Sequence, residues 1–256
     1  MSYKLIDFEI DELQYMQKKP KKIWYSGNRE LLFKKKVSIV GTRRPNSYTK
    51  DYTYKLASAL AKRGVIIVSG AAMGVDAIAH RGAGAKNTIA VMANGLDIKY
   101  PAVNKNLIED IEREGLLLSF FEPGFKATKW SFVLRNELVV ALGDILIVSE
   151  ADLNSGSLRS VEYALEMNKE IYVLPHRLSD SLGTNNLLKE GLAKAIYDID
   201  EFANRFGKLE QKEDEFLKFI SLNPTLDEAL EKFGQRVYEA ELEGIINIEN
   251  GKCYLK

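Results

Sequence analysis

Six short aliphatic runs punctuate the first three quarters of the chain, at residues 37–40, 65–68, 88–92, 116–119, 145–148 and 171–174. None alternates apolar with polar residues. A strand with one solvated face would alternate, so these runs describe strands covered on both sides, as in a parallel sheet between helical layers. Amphipathic segments of helix length fill the gaps, at residues 47–63, 74–85, 104–114, 130–142 and 156–168. In the first of them Tyr52, Leu56, Ala59 and Leu60 recur at the spacing of one helical face. Strand then helix, repeated with short links, implies right-handed crossovers and a doubly wound, Rossmann-like α/β sheet from about residue 37 to about residue 199. Ile23-Trp24-Tyr25, ahead of the first run, suggests an added edge strand.

The pattern changes after about Arg205. Residues 207–213 are polar and charged and look like a linker. Beyond them, 214–220, 225–233 and 235–243 have the spacing of three short helices, and Asn250-Gly251 between two apolar runs signals a hairpin. Three helices followed by a hairpin is the order of a small winged-helix-like domain. The expected division is therefore 1–36 as an N-terminal extension, 37–206 as the Rossmann-like domain, 207–213 as linker and 214–256 as the C-terminal domain.

At 256 residues the chain is large enough for its core to need no staple. Its one cysteine, Cys253, allows no internal disulfide, and with two histidines it makes no Cys/His zinc site. No secretory leader and no membrane-length apolar run is visible, so a cytoplasmic protein is expected. The 36 basic and 36 acidic residues cancel, which argues against a uniformly basic nucleic-acid binder but leaves room for a local cationic surface. Bases do concentrate at 18–22 and 34–44, and acids at 210–215 and 239–243.

Ligands of open α/β sheets bind outside the carboxyl ends of the strands, and four segments there carry the chemistry. Gly41-Thr42-Arg43-Arg44 follows the first run and leads into a helix start, where free N–H groups and two guanidiniums suit a phosphate; a plain turn with solvated arginines is the alternative. It is no dinucleotide fingerprint, since that needs three glycines and an acid about 20 residues later, and no P-loop is present. Ser69-Gly70-Ala71 follows the second run and leads to Asp76 and His80; the histidine fits better as a partner of the Asp76 carboxylate than as a catalyst. Lys129, Trp130, Phe132, Arg135 and Asn136 interleave cations with aromatic rings, as single strands of nucleic acid prefer, although Trp130 also suits a core. Ser155-Gly156-Ser157 is a second candidate phosphate nest, or an ordinary helix cap.

Taken in order, these segments resemble the DprA/Smf family of DNA-processing proteins. The resemblance rests on Gly41-Thr42-Arg43, Ser69-Gly70 through Gly74-Val75-Asp76 to His80, Asn94-Gly95-Leu96-Asp97, Tyr100-Pro101, Asn104, Arg135-Asn136, Ser155-Gly156-Ser157 and Gly183-Thr184-Asn185. It implies an extended Rossmann fold, single-stranded DNA binding, a homodimer, and loading of the RecA recombinase during natural transformation, without catalysis, metal or cofactor. The implied DNA site comprises Gly41, Thr42, Arg43, Arg44, Ser69, Gly70, Ala71, Lys129, Phe132, Arg135, Asn136, Ser155, Gly156 and Ser157. In it Arg43, Lys129 and Arg135 would pair with phosphates, N–H groups of Gly41, Gly70 and Ser157 would cradle them, and Phe132 would stack on a base. Glu137, Met73, Arg159 and His176 depart from the family pattern, and the first two each remove a possible cation. A nucleotide-processing enzyme of the nucleoside-monophosphate glycosidase type is the alternative; its Pro-Gly-Gly-x-Gly-Thr loop is missing, and Glu162 is the nearest acid.

Overall fold

A computed structural model describes residues 3–17, 19–209 and 214–255. The chain divides into two compact units, residues 1–208 and residues 209–256. Lys18 and residues 210–213, which carry part of the expected basic run, linker and acidic run, lie outside the described residues.

The first unit is built on a nine-stranded sheet. Its core strands are β3 (Lys36–Val40), β4 (Ile66–Ser69), β5 (Thr88–Val91), β6 (Leu116–Ser119), β7 (Ile145–Val148) and β8 (Ile171–Val173), all parallel where they pair with one another. Each falls on one of the six aliphatic runs. Two-residue strands, β1 (Lys4–Leu5) and β9 (Lys194–Ala195), form the edges, and β2 (Trp24–Gly27) lies inside β1, antiparallel to β6. The Ile23-Trp24-Tyr25 segment is thus a strand but not the edge. It pairs on both sides, and the residues expected as an extension complete the sheet.

The strands bury both faces. Val40, Val68, Val91, Leu146 and Val148 pack under α4 (Lys129–Leu142) and α5 (Gly156–Glu166). Val37, Ile39, Ile67, Ile145 and Ile147 pack under α1 (Ser47–Ala61), α2 (Val75–Ala83) and α7 (Ile199–Asn204). Ala90, Met92 and Leu117 meet α3 (Lys105–Glu114). This two-sided burial is why the runs show no polar alternation.

Strand order places the site. From β3 the chain moves outward through β4 and β5 to β6, then returns to lay β7 on the other side of β3. The order reverses between β3 and β7, and the crevice at their carboxyl ends is the topological switch point of the sheet. Beyond β8, α6 (Leu182–Lys189) begins at Ser181, whose hydroxyl accepts from the Ala151 N–H at 2.9 Å, tying this helix to the loop after β7.

The second unit holds α8 (Glu215–Ile220), α9 (Leu226–Phe233), α10 (Arg236–Leu242) and the hairpin β10 (Ile246–Glu249) and β11 (Lys252–Leu255). Three helices and a hairpin occur in the expected order, turning at Asn250-Gly251, both at positive φ. Phe216, Ile220, Ala229, Val237, Ala240, Ile246 and Cys253 form its own small core. Among the described residues no helix is long and apolar enough to cross a membrane.

Candidate functional site

A groove of about 840 Å³ opens at the switch point. It is lined from one side by Gly41, Thr42 and Arg43 after β3 and by Gly70 after β4. From the other side come Lys129, Phe132, Arg135 and Asn136 of α4, together with Ser155, Gly156 and Ser157 after β7. Eleven of the fourteen expected positions therefore converge on one surface. Arg44 lines a neighbouring groove instead. Ser69 and Ala71 are buried; the Ser69 hydroxyl donates to the Ile39 carbonyl at 2.6 Å, so it ties β4 to β3. Asn154, Arg159 and Glu162, beside the candidate nest, also line the groove, and Ala72 joins them.

The exposed face of the groove carries Arg43 and Lys129. The Arg43 guanidinium lies 5.1 Å from the centroid of the half-buried Phe132 ring. A cation resting on an aromatic face is held in place while its N–H donors stay free for an anion. Trp130 is 54% exposed and packs edge-on against Phe121 and Phe125, so it is not a core residue and it supports the loop before α4.

Arg135 lies below this surface rather than on it. Only 3% of it is exposed, and its Nη1 donates to the carbonyl of Gly70 and to that of Val91 at 2.8 Å. Its Nε donates to the Asn136 side-chain oxygen at 3.1 Å. Burial lowers its pKa, Asp76 opposes that and Arg43 adds to it, yet a guanidinium stays charged in a protein. Arg135 thus contributes a fixed positive charge beneath the floor and hydrogen bonds that hold the ends of β4 and β5. Pairing of Nη1 or Nε with a phosphate would break those bonds. A Cβ on Gly70 would sit 1.9 Å from Arg135 Nη1, so the glycine is what lets the guanidinium reach the carbonyl.

The loop after β4 is held at each peptide from Gly70 to Ala72. The Asp76 carboxylate accepts from the N–H of Gly70 at 3.2 Å and of Ala72 at 3.4 Å. Burial raises the Asp76 pKa, against the pull of Arg135, the N–H of Ala72, the Ser69 hydroxyl and the N–H of Gly70. Asn104 donates to the carbonyls of Ala71 and Ala72 at 3.0 and 3.1 Å. His80 completes the set, although not through Asp76 as expected. Its Nε2 accepts from the Ala71 N–H at 3.3 Å, and Nδ1 lies 2.7 Å from Thr88 Oγ1, which donates to the Ile67 carbonyl. That chain of bonds fixes the neutral tautomer protonated on Nδ1. Full burial, with Arg135 and Arg81 adding to it, depresses the ring pKa to about 3. Ala71 is held at φ +53°, a conformation that costs a non-glycine residue about 1 kcal/mol or more and persists only when the surroundings impose it.

The Gly70 N–H is therefore spent on Asp76 and does not cradle an anion. The start of α1 is closed as well. Asn46 caps it by accepting from the Thr49 N–H at 2.8 Å, and Glu150 takes the Asn46 N–H at 3.2 Å. A carboxylate already sits where the helix start was expected to receive a phosphate, and the Arg43 side chain remains exposed in this loop. The start of α5 is different. Ser155 makes no side-chain cap, and its buried Oγ has no partner. The N–H groups of Gly156 and Ser157 at the start of α5, in the wall of the groove, thus have no side-chain cap.

Gly74 fixes the distance between the first two loops. It has φ +78°, and a Cβ there would lie 2.4 Å from the Thr42 carbonyl oxygen and 2.6 Å from the Arg43 backbone. The Gly74→Ala variant is expected to lose about 1–3 kcal/mol of stability, since both the conformation and the contact are forbidden. Chemical denaturation of the two proteins measures it, and an unchanged midpoint would show that the loops separate freely.

A doubly wound parallel sheet with a cationic groove at its switch point defines a Rossmann-like α/β protein. Residues 9–207 match the family model of DNA recombination-mediator protein A, and the chain belongs to that family. Among its relatives, Protein Smf of Synechocystis is 40% identical over 177 residues, 68% of this chain and 44% of that protein. DNA processing protein DprA of Streptococcus pneumoniae is 37% identical over 177 residues, covering 67% and 62%. The chain spans between 44% and 62% of these two relatives' lengths. A solved structure of Helicobacter pylori DNA processing protein A, described for its single-stranded DNA binding mode, superposes with a TM-score of 0.78 at 43% identity, covering 79% of this chain and 94% of that one. The X-ray structure of the pneumococcal protein gives 0.72 at 35%, covering 77% and 71%.

Proposed function

We propose that this chain binds single-stranded DNA in the switch-point groove and acts there as a binding protein, not as an enzyme. The observation that carries the reading is the convergence of Arg43, Lys129, Phe132 and the uncapped start of α5 on one surface. Arg43, Lys129 and the α5 N–H groups receive successive phosphates, and the half-buried Phe132 ring in the groove is the aromatic surface on which a base would stack. Arg135 acts from beneath, through its charge and through the loop it holds. Membership of the family and likeness to a protein described as binding single strands support the same ligand.

Stacking requires unpaired bases, so a single strand is expected to bind on the order of tenfold or more tightly than duplex of the same sequence. With two to three phosphates neutralised, log K falls with log salt at a slope of about −1.4 to −2. Fluorescence titration at several salt concentrations tests both, and equal binding of duplex and single strand contradicts the groove assignment. The resemblance of the sequence motifs to the DprA/Smf family implies three further parts of the proposal: a homodimer, loading of RecA onto the bound strand during natural transformation in the cytoplasm, and a winged-helix-like protein-binding role for the second unit. Acidic Glu239, Glu241 and Glu243 on or beside α10 disfavour duplex as the ligand of that unit. Release of free base and ribose 5-phosphate from nucleoside monophosphates would instead support the glycosidase alternative, for which Glu162 in the groove, ion-paired with Arg159, is the available acid.

A further inference from the structure

We propose that the bound strand does not end at Arg43 but continues into a second groove between α1 and α2. This rests on the single-strand reading of the first groove and extends it. The second groove has a volume of about 790 Å³. A small recess lined by Arg43, Met73, Tyr100 and Phe132 lies between the two; it shares Arg43 and Phe132 with the first groove and Arg43 and Met73 with the second. Arg43 borders all three, so a strand lying on it has an open path either way.

The second groove has the components that a phosphate backbone and its bases need. Arg44, Lys50 and Arg81 line it and are exposed, and none has an acidic partner among the described residues. The acid in the groove, Asp51, is already paired with Lys55 at 2.7 Å. The remaining surface is aromatic and apolar: Tyr54 is 49% exposed, Met73 45% and Val103 70%. Lys50 and Tyr54 stand one turn apart on α1, as do Ala77 and Arg81 on α2, so each helix presents one face to the groove. The helices are held at close range by Gly82, where a Cβ would meet the Tyr54 carbonyl at 2.5 Å. Unpaired cations beside an exposed ring form the same combination as in the first groove, suited to phosphates and a stacked base. Met73, which removes a cation from the loop after β4, widens the apolar surface between the two.

The test compares oligothymidylates of about 6 and about 20 nucleotides, a range that spans one and two such grooves. The probe is titrated against the full chain and against the Lys50→Glu/Arg81→Glu double variant. The expected result is unchanged affinity of the variant for the short strand and affinity on the order of tenfold lower for the long one. The extra salt dependence of the long strand is lost with it. Binding of the short strand doubles as the control for folding. Equal affinity of both proteins for the long strand overturns the inference and leaves the first groove intact. A parallel loss for both lengths also overturns it, since the charges would then act only as a general field. If the unmodified chain binds neither oligonucleotide, the single-strand reading itself fails.

Discussion

Arg135→Ala is expected to lower the stability of the first unit by about 3–5 kcal/mol, because it removes a buried cation whose partners stay behind. The carbonyls of Gly70 and Val91 lose their donor, and each unsatisfied buried group costs roughly 1–3 kcal/mol. Asp76 loses the positive charge that opposes its desolvation. For a unit of this size the melting temperature falls by roughly 10 °C. DNA binding falls as a consequence, because the loop after β4 comes adrift at the floor of the groove. A thermal melt together with a titration separates this from direct contact. Full stability with lost binding would mean that the guanidinium leaves its carbonyls and meets a phosphate.

The second large effect is on pH dependence. His80 has its pKa depressed to about 3 in the folded chain, against an ordinary value of 6.5. Between those values the unfolded chain holds a proton that the folded chain excludes, so stability declines as pH falls below about 6.5 and goes on declining toward about 3. The slope from this residue is ~1.4 kcal/mol per pH unit. Protonation would set an Nε2–H donor against the Ala71 N–H, so acid acts on the same loop that carries Gly70. His80→Gln keeps polar atoms at the position and removes the titration. Denaturant midpoints at pH 7, 5.5 and 4.5 should therefore fall less steeply in the variant than in the unmodified chain. Parallel curves would show that the ring is protonated in the folded state.

The six core strands were legible because burial on both faces writes itself as unbroken aliphatic runs. The edges were not. β1 and β9 are two residues long and carry no pattern, and the antiparallel pairing of β2 with β6 joins segments about 90 residues apart. Within the site, glycines and charges at strand ends located the groove, but not the direction of each group. Position 135 lies on the buried stripe of α4 with Leu138, Val139 and Leu142. Helical spacing thus carried the signal that Arg135 points inward, against the habit of expecting arginine at the surface. The closed start of α1 was invisible in sequence, since Glu150 arrives from the end of the neighbouring strand β7, 104 residues further along the chain. The open start of α5 was hidden for the opposite reason: Ser155 has the identity of a cap and does not act as one. His80 went to Thr88 rather than Asp76 because the carboxylate turns back to the N–H groups of its own loop.

These placements concentrate the account on one side chain. Arg43 is exposed, rests on Phe132 and borders both grooves. Removing it should change stability by no more than about 0.5 kcal/mol, as for other surface positions. Titration of a single-stranded oligonucleotide with the unmodified chain and with Arg43→Ala is the most direct measurement. The expected result is at least about a tenfold loss of affinity, ~1.4 kcal/mol, with an unchanged melting temperature and a shallower salt dependence. Equal affinity of the two proteins would contradict it.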